Sequence, residues 1–352
     1  MLLNDIDVHF FRYLPGRLET LAYNGGILTR LKNNPLMALA IPFFMAGEIF
    51  ATISFIKTLK PDAIHAHWLI PQGLAAICAR WLARKYIPII STSHGGDLFG
   101  LSFGPLKKLL RWAIKHSDTV TVVSNAMQEH AHNLGAPINH MVVIPMGTDL
   151  SHTFTPPSDP KMRKTNQLLF AGRLVEKKGV PILLQAMHYL LAEFPELKLD
   201  IVGDGPDREH LEAQSKELGL NKYVSFHGTI DHTQLAGFFQ SATITIVPSI
   251  KTTMGDQEGF GLVIVEALGC ECPVVVSDLP AVHDIVINGK TGILFPPGDA
   301  KQLHQQLKDL LNNSNRRRMI GQEGRIYVSR FDEKTIGIRY NEIIKTLIKA
   351  QL

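Results

Sequence analysis

The stretch NQLLFAGRLVEKKGVPILLQAMHYLLAEFPELKLDIVGDGPDREHLEAQSKELGL (Asn166–Leu220) decides the fold. Its first apolar run ends at Gly172. VPILLQAMHYLLAEFP then carries apolar residues at helical spacing and stops at a proline. KLDIV is apolar again and leaves through Gly203 and Gly205, and DREHLEAQSKELGL reads as an amphipathic helix closed by Gly219. Strand, loop and helix alternating at this spacing imply parallel strands joined by helical crossovers. Ligands of such sheets bind beyond the carboxyl ends of the strands.

The pattern continues in both directions. YVSFHGTI, TITIVPS and PVVVSD are predicted strands, alternating with the predicted helices HTQLAGFFQSA, GLVIVEALGC and AKQLHQQLKDLLNN. Upstream, DAIHAHWL, IPIISTSHGGD, TVTVVSNAM and MVVIPMGTDL read as strands leading into loops. The polar, proline-rich Thr153–Asn166 segment is the best linker. The expectation is an α/β protein of two Rossmann-like doubly wound parallel-sheet domains facing across a cleft. Their expected bounds are 1–154 and 155–332, with a terminal helix, 333–352, packing back on the first.

Composition narrows the function. The chain has 352 residues, 45% hydrophobic and 19% charged, enough for two packed cores and unlike a disordered chain. A net charge of +4, with no basic stretch interleaved with aromatics, argues against a nucleic-acid partner. Cys78, Cys270 and Cys272 cannot supply a disulfide framework or a four-cysteine zinc site. MLLNDIDVHF lacks the apolar core of a secretory signal, so the expected location is cytoplasmic. Pro35–Pro61 is long enough to span a bilayer, but Glu48 and Pro42 interrupt it. A buried helix of the α/β domain is the favoured reading, and a membrane-contacting helix the alternative. PLKKLLRWAIKH (Pro105–His116) mixes four cations with apolar residues. An ordinary surface helix is favoured there over peripheral contact with an anionic membrane.

Three loops carry candidate chemistry. GRLVEKKG offers Arg173 and Lys178 from one loop at a strand's carboxyl end, a fork and a point charge suited to a diphosphate. The competing reading is two solvated cations. EGFGLVIVE places Gly259 and Gly261 before a helix, where free N–H groups meet anions. Glu258 and Glu266 bracket those residues, about 12 Å apart if the segment is helical. Two carboxylates addressing hydroxyls on either side of an anion site describe a nucleotide sugar; a capping and an exposed glutamate are the alternative. HGGD puts His94 in a glycine turn after an apolar strand, with Asp97 to orient it or to accept from an acceptor. In HAHW, His65 and His67 share a strand face without a third ligand nearby, so packing or acceptor contact is favoured over zinc. DID (Asp5–Asp7) is too short to carry a metal site, and GDG (Gly203–Gly205) lacks the rest of a dinucleotide fingerprint.

Taken in order, AGRLVEKKG, IVGDGPDREHLE, VSFHGTI, VPS, EGFGLVIVEALGCECPVVVSD and GKTGILFPPGD resemble the retaining glycosyltransferases of family four. HAHWLIPQG, HGGD, VSNAM and IPMGTD are similar to that family's N-terminal motifs. The resemblance implies a GT-B fold, a nucleotide-diphosphate-sugar donor, a glycan or lipid-linked acceptor, and no cofactor or essential metal. It assigns Arg173 and Lys178 to the diphosphate, Glu258 to the sugar hydroxyls, and the N–H groups of Gly259, Phe260 and Gly261 alongside. It assigns Glu266 to the ribose, Gly228 to Ile230 to the base, and His94 to the transferred sugar near its anomeric carbon, with Asp97 supporting that loop. Two features depart from the family. The usual opening strand, glycine loop and helix are not recognisable: DIDVHFFRYLP reads as a later strand, and Gly25-Gly26 is not that loop. Glu271 stands where a helix-ending glycine is common, so strain or a different helix end is expected there. The first departure keeps two alternatives open, a nucleotide-sugar-binding protein without transfer activity and a GT-B-fold epimerase.

Overall fold

The computed structural model describes residues 2–3, 6–21, 27, 30–31, 34–101, 104–137, 141–253 and 255–350. Asp5 of the DID motif and the Gly25-Gly26 pair lie outside these residues. The chain forms two compact units. One comprises Met1–Thr121, Ala131–Val142 and Ile343–Leu352; the other comprises Val122–His130 and Val143–Glu342.

In the first unit, β1 (Leu2–Leu3) and β2 (Ile6–Asp7) pair antiparallel as a sheet of their own. The strand expected across DIDVHFFRYLP is thus confined to two residues and stands outside the parallel sheet. Strands buried on both faces are continuous apolar runs, whereas this segment alternates apolar with polar residues, and Ile6 is exposed. The main sheet runs β3 (Ile64–His67), β4 (Ile89–Ser93), β5 (Thr119–Val122), β6 (Met141–Val143), in that order. β3 and β4 are parallel, in register from Ile64 with Ile89 to His67 with Thr92. The helix Leu74–Ala83 crosses between them and buries Ala76 and Ile77 against Ala66, Ile89 and Ala113.

Pro35–Thr58 is a 3-10 turn running into the helix Ile41–Thr58, and it is long and apolar enough to cross a membrane. The expectation of a buried core helix is not met. Within Ile41–Thr58 only Phe44 and Ile56 are buried, and Phe50 is 68% exposed. One side packs on Ala79, Ala83 and Ile87 through Ile49, Ile53 and Ile56. A helix that is apolar all round carries no stripe to say which face is covered.

In the second unit the apolar runs become β7 (Gln167–Ala171), β8 (Lys198–Val202), β9 (Val224–Gly228), β10 (Ile244–Val247), β11 (Val274–Ser277) and β12 (Ile293–Phe295). They form one six-stranded parallel sheet in the order β12-β11-β10-β7-β8-β9. The helices expected between them are present at Val180–Leu190, Arg208–Glu217, His232–Ser241, Leu262–Gly269 and Ala300–Leu311. The core is built from Leu183, Leu184 and Met187 of the first, Leu303, Leu307 and Leu310 of the last, and strand residues such as Phe170, Ile201 and Ile246. GDG has a packing role. A Cβ on Gly203 would lie 2.0 Å from the Gly172 carbonyl oxygen, so the loops after β7 and β8 touch backbone to backbone. The helix Leu262–Gly269 ends in the strained manner expected, with Glu271 at φ 54.

Candidate active site

Counted within the second unit, the strand order is 3-2-1-4-5-6, with β7 first and β10 fourth. Winding reverses between β7 and β10, and loops leaving their carboxyl ends diverge to opposite faces of the sheet. Such a switch point is where doubly wound sheets bind ligands. The loop after β7 carries Arg173 and Lys178; the loop after β10 carries Glu258, Gly259, Phe260 and Gly261.

The two loops are held together. Ile250 N–H donates to the Lys177 carbonyl at 2.8 Å. Gly179 has φ 65, and a Cβ on it would lie 1.9 Å from the Pro248 oxygen, so only glycine lets the chains approach this closely. Lys178 Nζ donates to Glu258 Oε2 at 2.6 Å, with both side chains largely buried. Burial pushes the Glu258 carboxyl up, but Lys178's charge and hydrogen bond, with Lys177 and the Gly259 N–H, hold it below its ordinary value. The lysine expected at a diphosphate and the glutamate expected at sugar hydroxyls therefore meet as an ion pair. Arg173 is exposed on the same loop.

Glu258 is not on the helix that carries Glu266. That helix begins at Leu262, with Gly261 at φ 95 as its N-cap and no side chain capping its first turn. The helical spacing expected between the two carboxylates therefore does not apply. Gly259 accepts a hydrogen bond on its carbonyl from Ser124 Oγ at 2.7 Å, and the Phe260 ring is buried against Phe331. Phe260 thus has only its backbone to offer a ligand. Glu266 is 5% exposed, and burial pushes its carboxyl up to about 7 against the pull of Lys178. His232 Nδ1 stands 4.0 Å from Glu266 Oε1. His232 opens the helix after β9, and Gly228 to Ile230 form the segment leading to it, so that segment runs towards Glu266.

His94 and Asp97 lie in the first unit, His94 on the turn after β4 and Asp97 in the short helix Gly96–Gly100 that follows it. His94 Nε2 and His67 Nδ1 share a hydrogen bond at 2.9 Å, their rings stacked. The His65 ring lies tilted against His67, centroids 4.3 Å apart, and bonds Thr92 Oγ1 at 2.7 Å. Burial, then the neighbouring histidines, push His65 and His94 down to about 4, which keeps both neutral. Asp97 is fully buried and does not orient His94. Its carboxylate accepts from the Leu69 N–H at 2.6 Å and Ser93 Oγ at 2.7 Å, tying the HGGD turn to the HAHW loop. It supports the loop from beneath and turns no oxygen towards solvent.

Sequence reasoning missed His67 as the partner of His94, and it missed Ser124 and His232. Each joins its partner across a long stretch of chain, and only the HAHW and VSNAM patterns drew attention to any of them. Cys270 and Cys272 are buried, and burial pushes both thiols up. Among the described residues, no group of three or more His, Cys, Asp or Glu is placed to hold a metal ion.

Residues 153–327 match the family model "Glycosyl transferases group 1", and residues 4–152 match "Glycosyltransferase Family 4". Glycogen synthase of Mycobacterium tuberculosis is 28% identical over 287 residues, 79% of this chain and 66% of that enzyme. Phosphatidyl-myo-inositol mannosyltransferase of Mycobacterium leprae is 28% identical over 97% of this chain and 86% of its own. A GDP-mannose-dependent alpha-(1-6)-phosphatidylinositol monomannoside mannosyltransferase of Mycolicibacterium smegmatis is 28% identical over 73% of this chain and 69% of its own. Among solved structures, sucrose-phosphate synthase from Thermosynechococcus elongatus superposes with a TM-score of 0.75 at 24% identity, covering 90% of this chain and 80% of that one. Anabaena HepE in complex with UDP and glucose gives 0.74 at 24% identity, covering 92% and 90%. The fold is GT-B.

Proposed function

The chain belongs to the family-four glycosyltransferases, and from that premise we propose that it transfers a hexose-type sugar, with retention and without a metal, from a nucleotide-diphosphate sugar. The carrying observation is the convergence of Lys178, Glu258 and Glu266 at the β7/β10 switch point. Lys178 and Arg173 bind the diphosphate and stabilise charge on the leaving group, which lowers the barrier to departure. Glu258 accepts from the sugar hydroxyls, beside the N–H groups of Gly259, Phe260 and Gly261. Glu266 accepts from the ribose, and Gly228 to Ile230 face the base. His94, held neutral, lies against the transferred sugar. The acceptor attacks the face the phosphate leaves, and the phosphate helps take its proton. The relatives' names support uridine or guanosine donors and glycan or lipid-linked acceptors.

The uncovered side of Ile41–Thr58 and the exposed Lys108, Arg111 and Lys115 of helix Gly104–His116 support work at the cytoplasmic face of an anionic membrane. Incubation with UDP-glucose and GDP-mannose, with and without EDTA and with lipid extract as acceptor, tests the reading. Nucleotide release with an α-configured product, unchanged by EDTA, is expected. Binding without turnover, or sugar interconversion without acceptor, would overturn it. Flotation with phosphatidylglycerol but not phosphatidylcholine vesicles is expected, and failure to float with either would remove the membrane part.

A further inference from the structure

We infer that the ion pair between Lys177 and Asp256 is a positioning device that holds Glu258 in place while Lys178 engages phosphate; this rests on the donor-site reading above. Lys177 Nζ donates to Asp256 Oδ1 at 3.0 Å, beside the Lys178–Glu258 pair and with the same loop-to-loop sense. The segment from Pro248 to Gly261 has no helix or strand among its described residues. At its start, Ile250 N–H is held by the Lys177 carbonyl. It then turns back on itself. Thr252 N–H donates to the Asp256 carbonyl at 2.9 Å, and Gly255 N–H donates to the Thr252 carbonyl at 2.9 Å, with Gly255 at φ 88. Asp256 thus closes the turn with its backbone and returns to Lys177 with its side chain. Both ends of the turn are fastened to one residue of the β7 loop.

Glu258 follows Asp256 by two residues. Lys178 holds its carboxylate. On the donor reading Lys178 is drawn towards the diphosphate, and Glu258 then loses the partner that locates it. Lys177 stays where it is: its charge also acts on Glu258, but its hydrogen bond is to Asp256. The second pair keeps the loop, and so Glu258, at a fixed place relative to the phosphate. Lys177 is a positioning residue, and its effect falls on recognition of the sugar and not of the nucleotide.

The test uses the full chain with Lys177→Met, Asp256→Asn, Lys177→Arg and the exchange Lys177→Asp/Asp256→Lys. Titration calorimetry is run with UDP-glucose, GDP-mannose, UDP and GDP, beside a thermal melt. Each neutral variant is expected to bind the preferred nucleotide sugar about three- to fivefold more weakly, the range of a partly exposed ion pair, while its affinity for the nucleoside diphosphate moves less than about twofold. Lys177→Arg retains affinity, the charge exchange recovers most of what the single variants lose, and the melting midpoints stay close to wild type. Unaltered nucleotide-sugar binding in the neutral variants, an equal loss for nucleotide and nucleotide sugar, or an exchange variant no better than the singles would each overturn the inference alone. A wild-type protein that binds none of the four ligands would overturn the donor reading and this inference with it.

Discussion

Replacing Lys178 with methionine removes the ammonium that faces Glu258 and leaves the aliphatic stem. The Glu258 side chain is 14% exposed and Lys178 17%, with 2.6 Å between the charged atoms. Removing one partner of a buried pair costs about 3–5 kcal/mol, because the other charge is stranded. Residual exposure and the nearby Lys177 charge reduce this, so about 2–3 kcal/mol is expected at pH 8. For a unit of roughly 200 residues that lowers the melting midpoint by about 4–12 °C.

The pH dependence carries the diagnosis. In the wild type the Glu258 carboxyl is held below its unfolded value of 4.5, so its contribution is present above pH 4.5 and lost as pH falls through the folded value. Without Lys178, burial dominates and raises that carboxyl, which reverses the sign. The variant is weakest at pH 8 and recovers as the pH falls towards 4.5 and the carboxyl protonates. Adding Glu258→Gln removes the stranded charge, so the double variant melts above the single one at pH 8 while transfer stays lost. Melts of the three proteins from pH 5 to 8, with a transfer assay, test this. A single variant within about 1 °C of wild type at pH 8, a deficit independent of pH, or a double variant no more stable than the single would refute the reasoning.

Glu266→Gln should stabilise the empty protein at pH 8 but not near pH 4.5. The native carboxyl titrates at about 7 against 4.5 unfolded, a burial penalty on the order of 3 kcal/mol that is complete above pH 7 and absent below 4.5. The same change should weaken nucleotide binding, so a variant with wild-type melts at pH 8 and wild-type affinity counts against both roles. The imidazole resonances of His65 and His94 should stay still between pH 8 and 5.5, because both rings titrate at about 4; a midpoint between 6 and 7 would contradict their burial. Glu271→Gly should raise the melting midpoint by about 2–4 °C by relieving a left-handed backbone worth roughly 1 kcal/mol, and a fall would show that the φ of 54 carries no strain.

The fold was legible because its strands are short apolar runs ended by glycine and its helices carry apolar residues at helical spacing. Those signals are local, and they survive without knowledge of neighbours. The helix of EGFGLVIVE starts after Gly261, where the sequence placed it, but the spacing of its two carboxylates could not tell whether the helical rise extends back to Glu258. Apolar residues run on either side of Gly261, yet the chain is irregular through Phe260 and helical only from Leu262. Partners were the least legible part. Lys178 and Glu258 are separated by 80 residues and meet only because β7 and β10 are neighbours in the sheet. Asp97 looked like a residue for His94 three positions away, but its carboxylate accepts from the Leu69 N–H, 28 residues upstream. The helix Ile41–Thr58 failed differently, because an evenly apolar sequence offers no contrast between a covered and an uncovered face.

The two glutamates of that motif therefore differ in more than position. Glu258 is held charged by the lysine that faces it, whereas Glu266 is buried, with His232 4.0 Å away, and resists ionising. On the proposed reading, the ligand changes both states. A diphosphate competes with Glu258 for Lys178, and a sugar hydroxyl must then give Glu258 the hydrogen bond it loses. A nucleoside diphosphate without sugar draws Lys178 away and offers Glu258 nothing in return. A nucleotide sugar satisfies both, so phosphate and sugar recognition are coupled through one ion pair. Glu266 gains a donor from the ribose hydroxyls in either case, and its interaction does not distinguish the two ligands. Discrimination for an intact donor over its spent nucleotide thus falls on Glu258, the carboxylate whose resting partner is also the group that must leave it.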